Sequence, residues 1–274
     1  IVIPFIDREV FSSAVRSMEE VLSEAGYNVI ICQSQESVDK ERKIIENLRH
    51  LKVDGIIISI SKESRRVHDL EALRSQKTPV VLFDRSTQLE TVNSVVINNF
   101  NGAYQATSHL IEQGCKNLVH LAGREGVSIF SERQRGFTAA LADHGKSVTP
   151  ENIIPFDDGQ QEGQDQLRNM LQSSSNRPDG ILAHGDIAAL VALRIIKELG
   201  LRIPEDVAIV GFGDSNFCTY LDPSLSSVNQ RNEDVGHLAA TLLVNELKGN
   251  ADANPVAAQQ MLAPILQIRE SSGR

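Results

Sequence analysis

One repeated alternation limits what this chain can fold into more than any other feature. Short runs of Val, Ile and Leu are followed by helical stretches that stop at glycine. Val29-Ile30-Ile31, Gly55-Ile56-Ile57-Ile58, Val80-Val81-Leu82-Phe83 and Asn117-Leu118-Val119-His120-Leu121 begin the series. Ile181-Leu182-Ala183 and Val207-Ala208-Ile209-Val210 continue it. Runs that are apolar at successive positions and bounded by turn residues fit parallel strands covered on both faces, because such a sheet has no wet side to impose alternation. Between them, Glu24-Ala25-Gly26, Glu112-Gln113-Gly114, Asp143-His144-Gly145 and Glu198-Leu199-Gly200 each place glycine where a helix end takes a positive φ. Phe11, Val15, Met18 and Leu22 stand at the spacing of one helix face, as do Leu190, Leu193 and Ile196. Repeated strand–helix units predict a doubly wound α/β protein with right-handed crossovers.

The 274 residues suffice for one large or two medium domains. About eleven strand candidates would overfill one twisted sheet, which rarely exceeds about ten strands, so two sheets are expected. The rhythm breaks near Asn98-Asn99-Phe100-Asn101-Gly102 and again near Ser226-Ser227-Val228-Asn229, after which a helix (Asp234 to Leu247) and a strand (around Ile265 to Ile268) remain. The expected division is a first lobe of residues 1–97 plus about 231–260 and a second of 98–230 plus about 261–274. Ligands of such sheets sit beyond the carboxyl ends of the strands, and two facing lobes would present those ends to a shared cleft.

Charge and composition exclude several functions. Lys+Arg 27 against Asp+Glu 36 leaves −9, which opposes direct grip of a phosphate backbone. With no Trp, 3 Tyr and 9 Phe, there is little to build a base-stacking surface. No apolar run reaches the roughly 20 residues that cross a bilayer. Cys32, Cys115 and Cys218 are far apart and odd in number, which reads as buried thiols in a reducing cytoplasm. The chain opens on Ile1-Val2-Ile3-Pro4, a strand running into a turn, and is expected to be part of a longer protein.

Catalytic motifs mostly fail. Pro4-Phe5-Ile6-Asp7-Arg8 stands where a dinucleotide-binding glycine loop belongs, Gly211-Phe212-Gly213-Asp214 supplies only two of the glycines, and no Walker loop, zincin helix or nucleophile elbow occurs. No enzymatic role, cofactor or metal is expected. His120 and His184 lack a second ligand at metal spacing and read as packing residues. Lys40-Glu41-Arg42-Lys43 reads as a solvated helix face.

Polar residues just after strands are the ligand candidates: Asp7, Arg8, Ser59, Ser61, Asp84, Arg133, Asp186 and Asp214. Carboxylates and a guanidinium converging on one place can accept from and donate to adjacent hydroxyls, which is what a sugar-like ligand requires. Asp186, before Ile187 and Ala188, also reads as a helix N-cap, and Phe5 and Phe11 read as core residues or as stacking faces.

The stretch Leu199-Gly200-Leu201-Arg202-Ile203-Pro204-Glu205-Asp206-Val207-Ala208-Ile209-Val210-Gly211-Phe212 closely resembles the regulatory domain of LacI/GalR-family transcription regulators. The likeness continues through Leu221-Asp222-Pro223-Ser224-Leu225 to Gln230, and Val53-Asp54-Gly55, Pro79 to Arg85, His109 to Gly114 and Glu132 to Phe137 agree in order. The resemblance implies two Rossmann-like lobes joined by three crossovers, a periplasmic-binding-protein-like fold of type I. It implies a cytoplasmic homodimer that binds a sugar or sugar derivative between its lobes, with operator DNA read by an N-terminal helix-turn-helix that precedes these residues, and no membrane contact. Carried over by position, ligand contacts fall on Asp7, Arg8, Phe11, Ser59, Ser61, Asp84, Ile97, Arg133, Asp186, Asp214 and Gln230. Where the family often has Asn-Pro-Phe-Phe this chain has Arg8-Glu9-Val10-Phe11, and His184-Gly185-Asp186 replaces Ala-Asn-Asp. Gly213 stands at a position that is frequently acidic. These departures imply a larger or negatively charged effector, with Arg8 and Arg133 supplying charge. A periplasmic sugar-binding protein of an ABC transporter is the alternative of the same fold.

Overall fold

The computed structural model describes residues 1–61, 78–85, 92–157, 161–173, 177–249 and 259–273. Two compact units emerge, one of Ile1–Ile97 with Arg231–Leu262, the other of Asn98–Gln230 with Ala263–Arg274.

Unit 1 contains β1 (Val2–Ile3), α1 (Glu9–Glu24), β2 (Cys32–Gln33), α2 (Val38–His50), β3 (Ile56–Ile58), β4 (Val80–Phe83) and β5 (Asn93–Ile97). Unit 2 holds α3 (Asn99–Glu112), β6 (Leu118–Ala122), α4 (Ser128–Asp143), β7 (Ile153–Pro155), α5 (Gln161–Gln172), β8 (Gly180–Ala183), α6 (Asp186–Glu198), β9 (Ala208–Gly213) and β10 (Ser226–Asn229). The chain then returns α7 (Asn232–Leu247) and β11 (Gln259–Leu262) to unit 1 and ends with β12 (Ile265–Gln267) in unit 2. The sheets run β11-β5-β4-β3-β1-β2 and β12-β10-β9-β8-β6-β7. Every pairing is parallel except β10 with β12.

The unbroken apolar runs are buried along their whole length in β3, β4, β6 and β8. Successive residues serve opposite faces. Ile57, Val81 and Phe83 pack with α1 and α7, while Ile56, Ile58, Val80 and Leu82 pack on the side of α2. In unit 2, Val119, Leu121 and Ile181 join α5 and α6, and Leu118, Leu182 and Val210 join α3 and α4. Helix-ending Gly26, Gly114, Gly145 and Gly200 have φ of 87°, 89°, 69° and 70°, as their positions predict.

Three expectations are corrected. The second strand lies at Cys32–Gln33 and not at Val29–Ile31. It is an edge strand on β1, and Ile30 and Ile31 are exposed, so their apolarity does not mark a buried strand. The Lys40–Lys43 segment is not wholly solvated, because Glu41 is buried and accepts from the backbone amide and hydroxyl of Ser61, both at 2.6 Å. Asp186 is not the N-cap of α6; Gly185 is, with no side-chain cap bond, and Asp186 opens the helix itself. The last return to unit 2 falls after Leu262, since β11 pairs in register with β5 through Leu262↔Ile97.

Candidate functional site

In parallel sheets, the carboxyl ends of neighbouring strands share one edge. Strand-following residues therefore gather there within each unit.

In unit 1, Asp7 and Arg8 lie in the exposed turn between β1 and α1. Phe11 turns inward, 4% exposed, and its ring meets Phe83 edge-on with centroids 6.3 Å apart. Ile97 is likewise part of the apolar core. Ser59 Oγ donates to Asp84 Oδ2 at 3.2 Å. Asp84 follows β4 in the left-handed region (φ 62°), which a non-glycine residue keeps only when its surroundings hold it. The neighbouring Arg85 is buried, with Nη1 and Nη2 donating to the two oxygens of Glu36 (2.9 and 3.0 Å), Nη1 to Ile60 O (2.9 Å), and Nε 3.6 Å from Asp84. Ser61 faces Glu41 and Ser34 and is buried. Asp7, Arg8, Ser59 and Asp84 are thus at the carboxyl edge, with Phe11, Ser61 and Ile97 packed beneath it.

Unit 2 is built around Arg133, 4% exposed on α4. Its guanidinium carbon lies 3.7 Å from the centroid of the Phe212 ring, the separation of a cation–π stack. Nε donates to Asn99 Oδ1 (2.9 Å), Nη2 to Gln230 Oε1 (3.2 Å), and Nη1 to the carbonyl of His184. The His184 ring meets Phe130 edge-on at 5.0 Å. Arg133 and Gln230, separately inferred from the sequence, are thus in direct contact.

Asp186 and Asp214 are engaged differently from a pair of free acceptors. Asp186 accepts from Ser227 Oγ (2.6 Å) and the Ser215 amide (2.8 Å). A Cβ at Gly213 would sit 2.7 Å from its carboxylate, so glycine there makes room for Asp186. Asp214, also left-handed (φ 55°), accepts from Arg269 Nη2 (2.6 Å) and Asn229 Nδ2 (2.8 Å). Sequence reasoning missed Asn99, Phe212, Ser227 and Arg269 as partners. Asn99 stood in the rhythm break at Asn98–Gly102, whereas nothing in the sequence ties Arg269 to Asp214.

Under this edge, His120 is fully buried, stacked on Phe137 at 5.4 Å and 3.0 Å from Leu182 O through Nδ1. Burial lowers its pKa from the ordinary 6.5 to about 3, with His184 and Arg133 adding to the effect. His109 is lowered as well, again by burial. Cys115 and Cys218 are buried thiols, and burial raises that of Cys218. Among the described residues no cluster of His, Cys, Asp or Glu is arranged to hold a metal, and no helix is long and apolar enough to cross a membrane. A separate cavity of about 260 Å³ lies in unit 1 at the amino ends of β1 and β3, with Tyr27, Asn28, Lys52 and Asp54 at its wall.

Known proteins resemble the chain throughout. Residues 107–272 match the model of the periplasmic binding protein-like domain. The ribose operon repressor of Halalkalibacterium halodurans is 31% identical over 90% of this chain and 72% of its own length. The transcriptional regulator CelR–cellobiose complex superposes with a TM-score of 0.84 at 26% identity, covering 98% of this chain and 83% of the other. A periplasmic binding protein/LacI transcriptional regulator from Alkaliphilus metalliredigens, complexed with D-xylulofuranose, gives 0.81 at 26% identity over 100% and 98%.

Proposed function

The chain belongs to the periplasmic binding protein-like domain family as the effector-binding region of a LacI-type transcription regulator, and on that premise we propose that it senses a sugar through the carboxyl-edge residues of its two sheets. The Arg133 cluster carries this reading: a guanidinium held flat on an aromatic ring and oriented by three oxygens is a preorganised donor for ligand hydroxyls. Ser59, Asp84 and the exposed Asp7 and Arg8 supply hydroxyl-binding groups from unit 1. A ribose operon repressor and two sugar-bound regulator structures among the similar proteins support a sugar over other small molecules. They also favour a regulator over a transport protein of the same fold.

In this reading the protein binds its ligand without turning it over, and it works in the cytoplasm. Ligand changes the balance of conformations and thereby operator affinity. Operator DNA is met by another part of the regulator, since the −9 charge of these residues opposes a phosphate backbone. Homodimerisation is supported by exposed apolar side chains on unit 2: Ile187 and Leu190 one turn apart on α6, and Tyr220, 86% exposed. Light scattering of Tyr220→Asp tests it, with a shift toward monomer expected and an unchanged dimer contradicting this surface.

A thermal-shift panel of pentoses, hexoses, disaccharides, their phosphates and purines tests the sugar reading. A ligand that binds only the native state at 100 times its Kd stabilises it by about 2.7 kcal/mol. A rise in Tm with one sugar or sugar phosphate is expected. A rise with a purine alone, or with nothing in the panel, contradicts the proposal.

A further inference from the structure

The segment after β12 is fastened into unit 2. The Arg269 amide donates to Ser226 Oγ at 2.7 Å, Ser271 Oγ donates to Ile209 O at 2.7 Å, and Ser272 Oγ donates to Ser226 Oγ at 2.7 Å. Ser271 and Ser272 are fully buried. From this fixed base the Arg269 side chain reaches two acceptors, Leu225 O at 2.7 Å and Asp214 Oδ1 at 2.6 Å. The ion pair is largely covered, with side chains 20% and 10% exposed. Asp214 belongs to the turn that ends β9, and that turn is pinned from the other side by Asp186 through the Ser215 amide. The Asp214 amide also donates to Ser227 Oγ, the hydroxyl that donates to Asp186. A left-handed non-glycine residue between two such anchors keeps its geometry only while both hold.

We propose that Arg269 is a positioning residue for the effector site: the chain's last segment sets the turn Gly213–Ser215 at the carboxyl edge of unit 2 and thereby sets effector affinity. This rests on the sugar-sensing reading above. Binding groups must be held within about 0.5 Å of their productive positions, and a support removed behind them loosens them without touching the ligand.

The test compares Arg269→Gln, Arg269→Lys and, as a control for general destabilisation, the buried-core variant Leu171→Ala on α5, the helix that follows the opposite edge strand β7. Three quantities are read: affinity by calorimetry for whichever of D-ribose, D-xylulose or cellobiose binds the unaltered protein, Tm, and hydrogen exchange of residues 213–215. Arg269→Gln is expected to weaken binding about tenfold and to speed exchange at Asp214 and Ser215, and Arg269→Lys, which keeps the charge, to recover part of both. Leu171→Ala is expected to lower Tm as much or more with little change in affinity. Equal affinity in Arg269→Gln and the unaltered protein overturns the proposal, and so does an equal loss of affinity in Leu171→Ala. If none of the three sugars binds the unaltered protein, the sugar reading is decided by the thermal-shift panel, apart from this proposal. The turn is then judged by exchange alone, and unchanged exchange at 213–215 in Arg269→Gln overturns the clamp.

Discussion

The two units use the same devices with different wiring. In unit 1, α1 and α7 approach so closely that a Cβ at Gly236 would strike the carbonyl of Ala14; in unit 2, α3 and α4 do the same at Gly136 against the carbonyl of Phe100. Each sheet has one strand that ends in a left-handed aspartate, Asp84 after β4 and Asp214 after β9. Each aspartate has an arginine beside it. In unit 1 that arginine is the next residue, Arg85, and it spends its paired donors on Glu36. In unit 2 it comes from the far end of the chain, Arg269, and binds the aspartate directly. The candidate contacts differ accordingly: Arg133, Asp186 and Gln230 are buried and bonded in place, while Asp7 and Arg8 are exposed. Groups already ordered lose less entropy on binding, so unit 2 should contribute most to affinity, leaving the first loop of unit 1 to discriminate between ligands.

The largest expected effects probe the shared helix packing. Gly136→Ala and Gly236→Ala should each destabilise by about 3 kcal/mol, because a methyl group meets backbone that cannot step aside. Chemical denaturation followed by circular dichroism measures both. A tolerated substitution in one unit would break the equivalence of the two helix pairs.

Next in size is the contrast between Arg133 and Arg8. Arg133→Ala strips the donor from Asn99, Gln230 and the His184 carbonyl and should cost about 2–3 kcal/mol together with effector binding. The same change at the exposed Arg8 should leave stability within about 0.5 kcal/mol and alter ligand preference only. Equal stability losses at the two positions would remove the distinction between a buried, prebuilt unit 2 cluster and an exposed first loop.

Acid should separate the units as well. His120 is neutral when folded because its pKa is lowered to about 3, whereas an unfolded chain takes up that proton near 6.5. The unfolded state then binds more protons throughout this window, so stability present above pH 6.5 is lost as pH falls toward 3. The loss is about 2 kcal/mol between pH 6.5 and 5. His109, also lowered, acts in the same direction. The neutral variant His120→Gln should flatten the acid slope, and exchange at pH 5 should rise first in unit 2. An unchanged slope would contradict burial as the cause.

A modest loss is expected from the buried carboxylate of unit 1. Glu41→Gln replaces a buried carboxylate that accepts twice from Ser61 and should cost about 1 kcal/mol in denaturation midpoint. A neutral result would mean that Ser61 is held by the fold without it.

The sequence revealed most where burial is symmetric. Ile56–Ile58 and Leu118–Ala122 could be read as strands because helices cover both faces and every residue of the run is buried, His120 being the one polar side chain among them. The same rule misplaced the second strand, since an edge position leaves Ile30 and Ile31 exposed while backbone pairing with β1 decides the register at Cys32–Gln33. Arg133 and Asp186 were visible as polar residues after strands, and Gln230 through the family resemblance. Their partners were not, because Asn99, Phe212 and Ser227 come from other strands and helices and meet only once the sheet forms. Glu41 was hidden among three cations in sequence, and Arg269 is separated from Asp214 by 55 positions.

Hydrogen exchange of the whole chain with and without a saturating sugar tests most directly where the effector binds. Protection is expected at residues 7–11 and 84–85 of unit 1 and at residues 184–186 and 213–216 of unit 2, all at the carboxyl edges. Protection confined to residues 27–30 and 52–55, around the cavity at the opposite edge of unit 1, would contradict it.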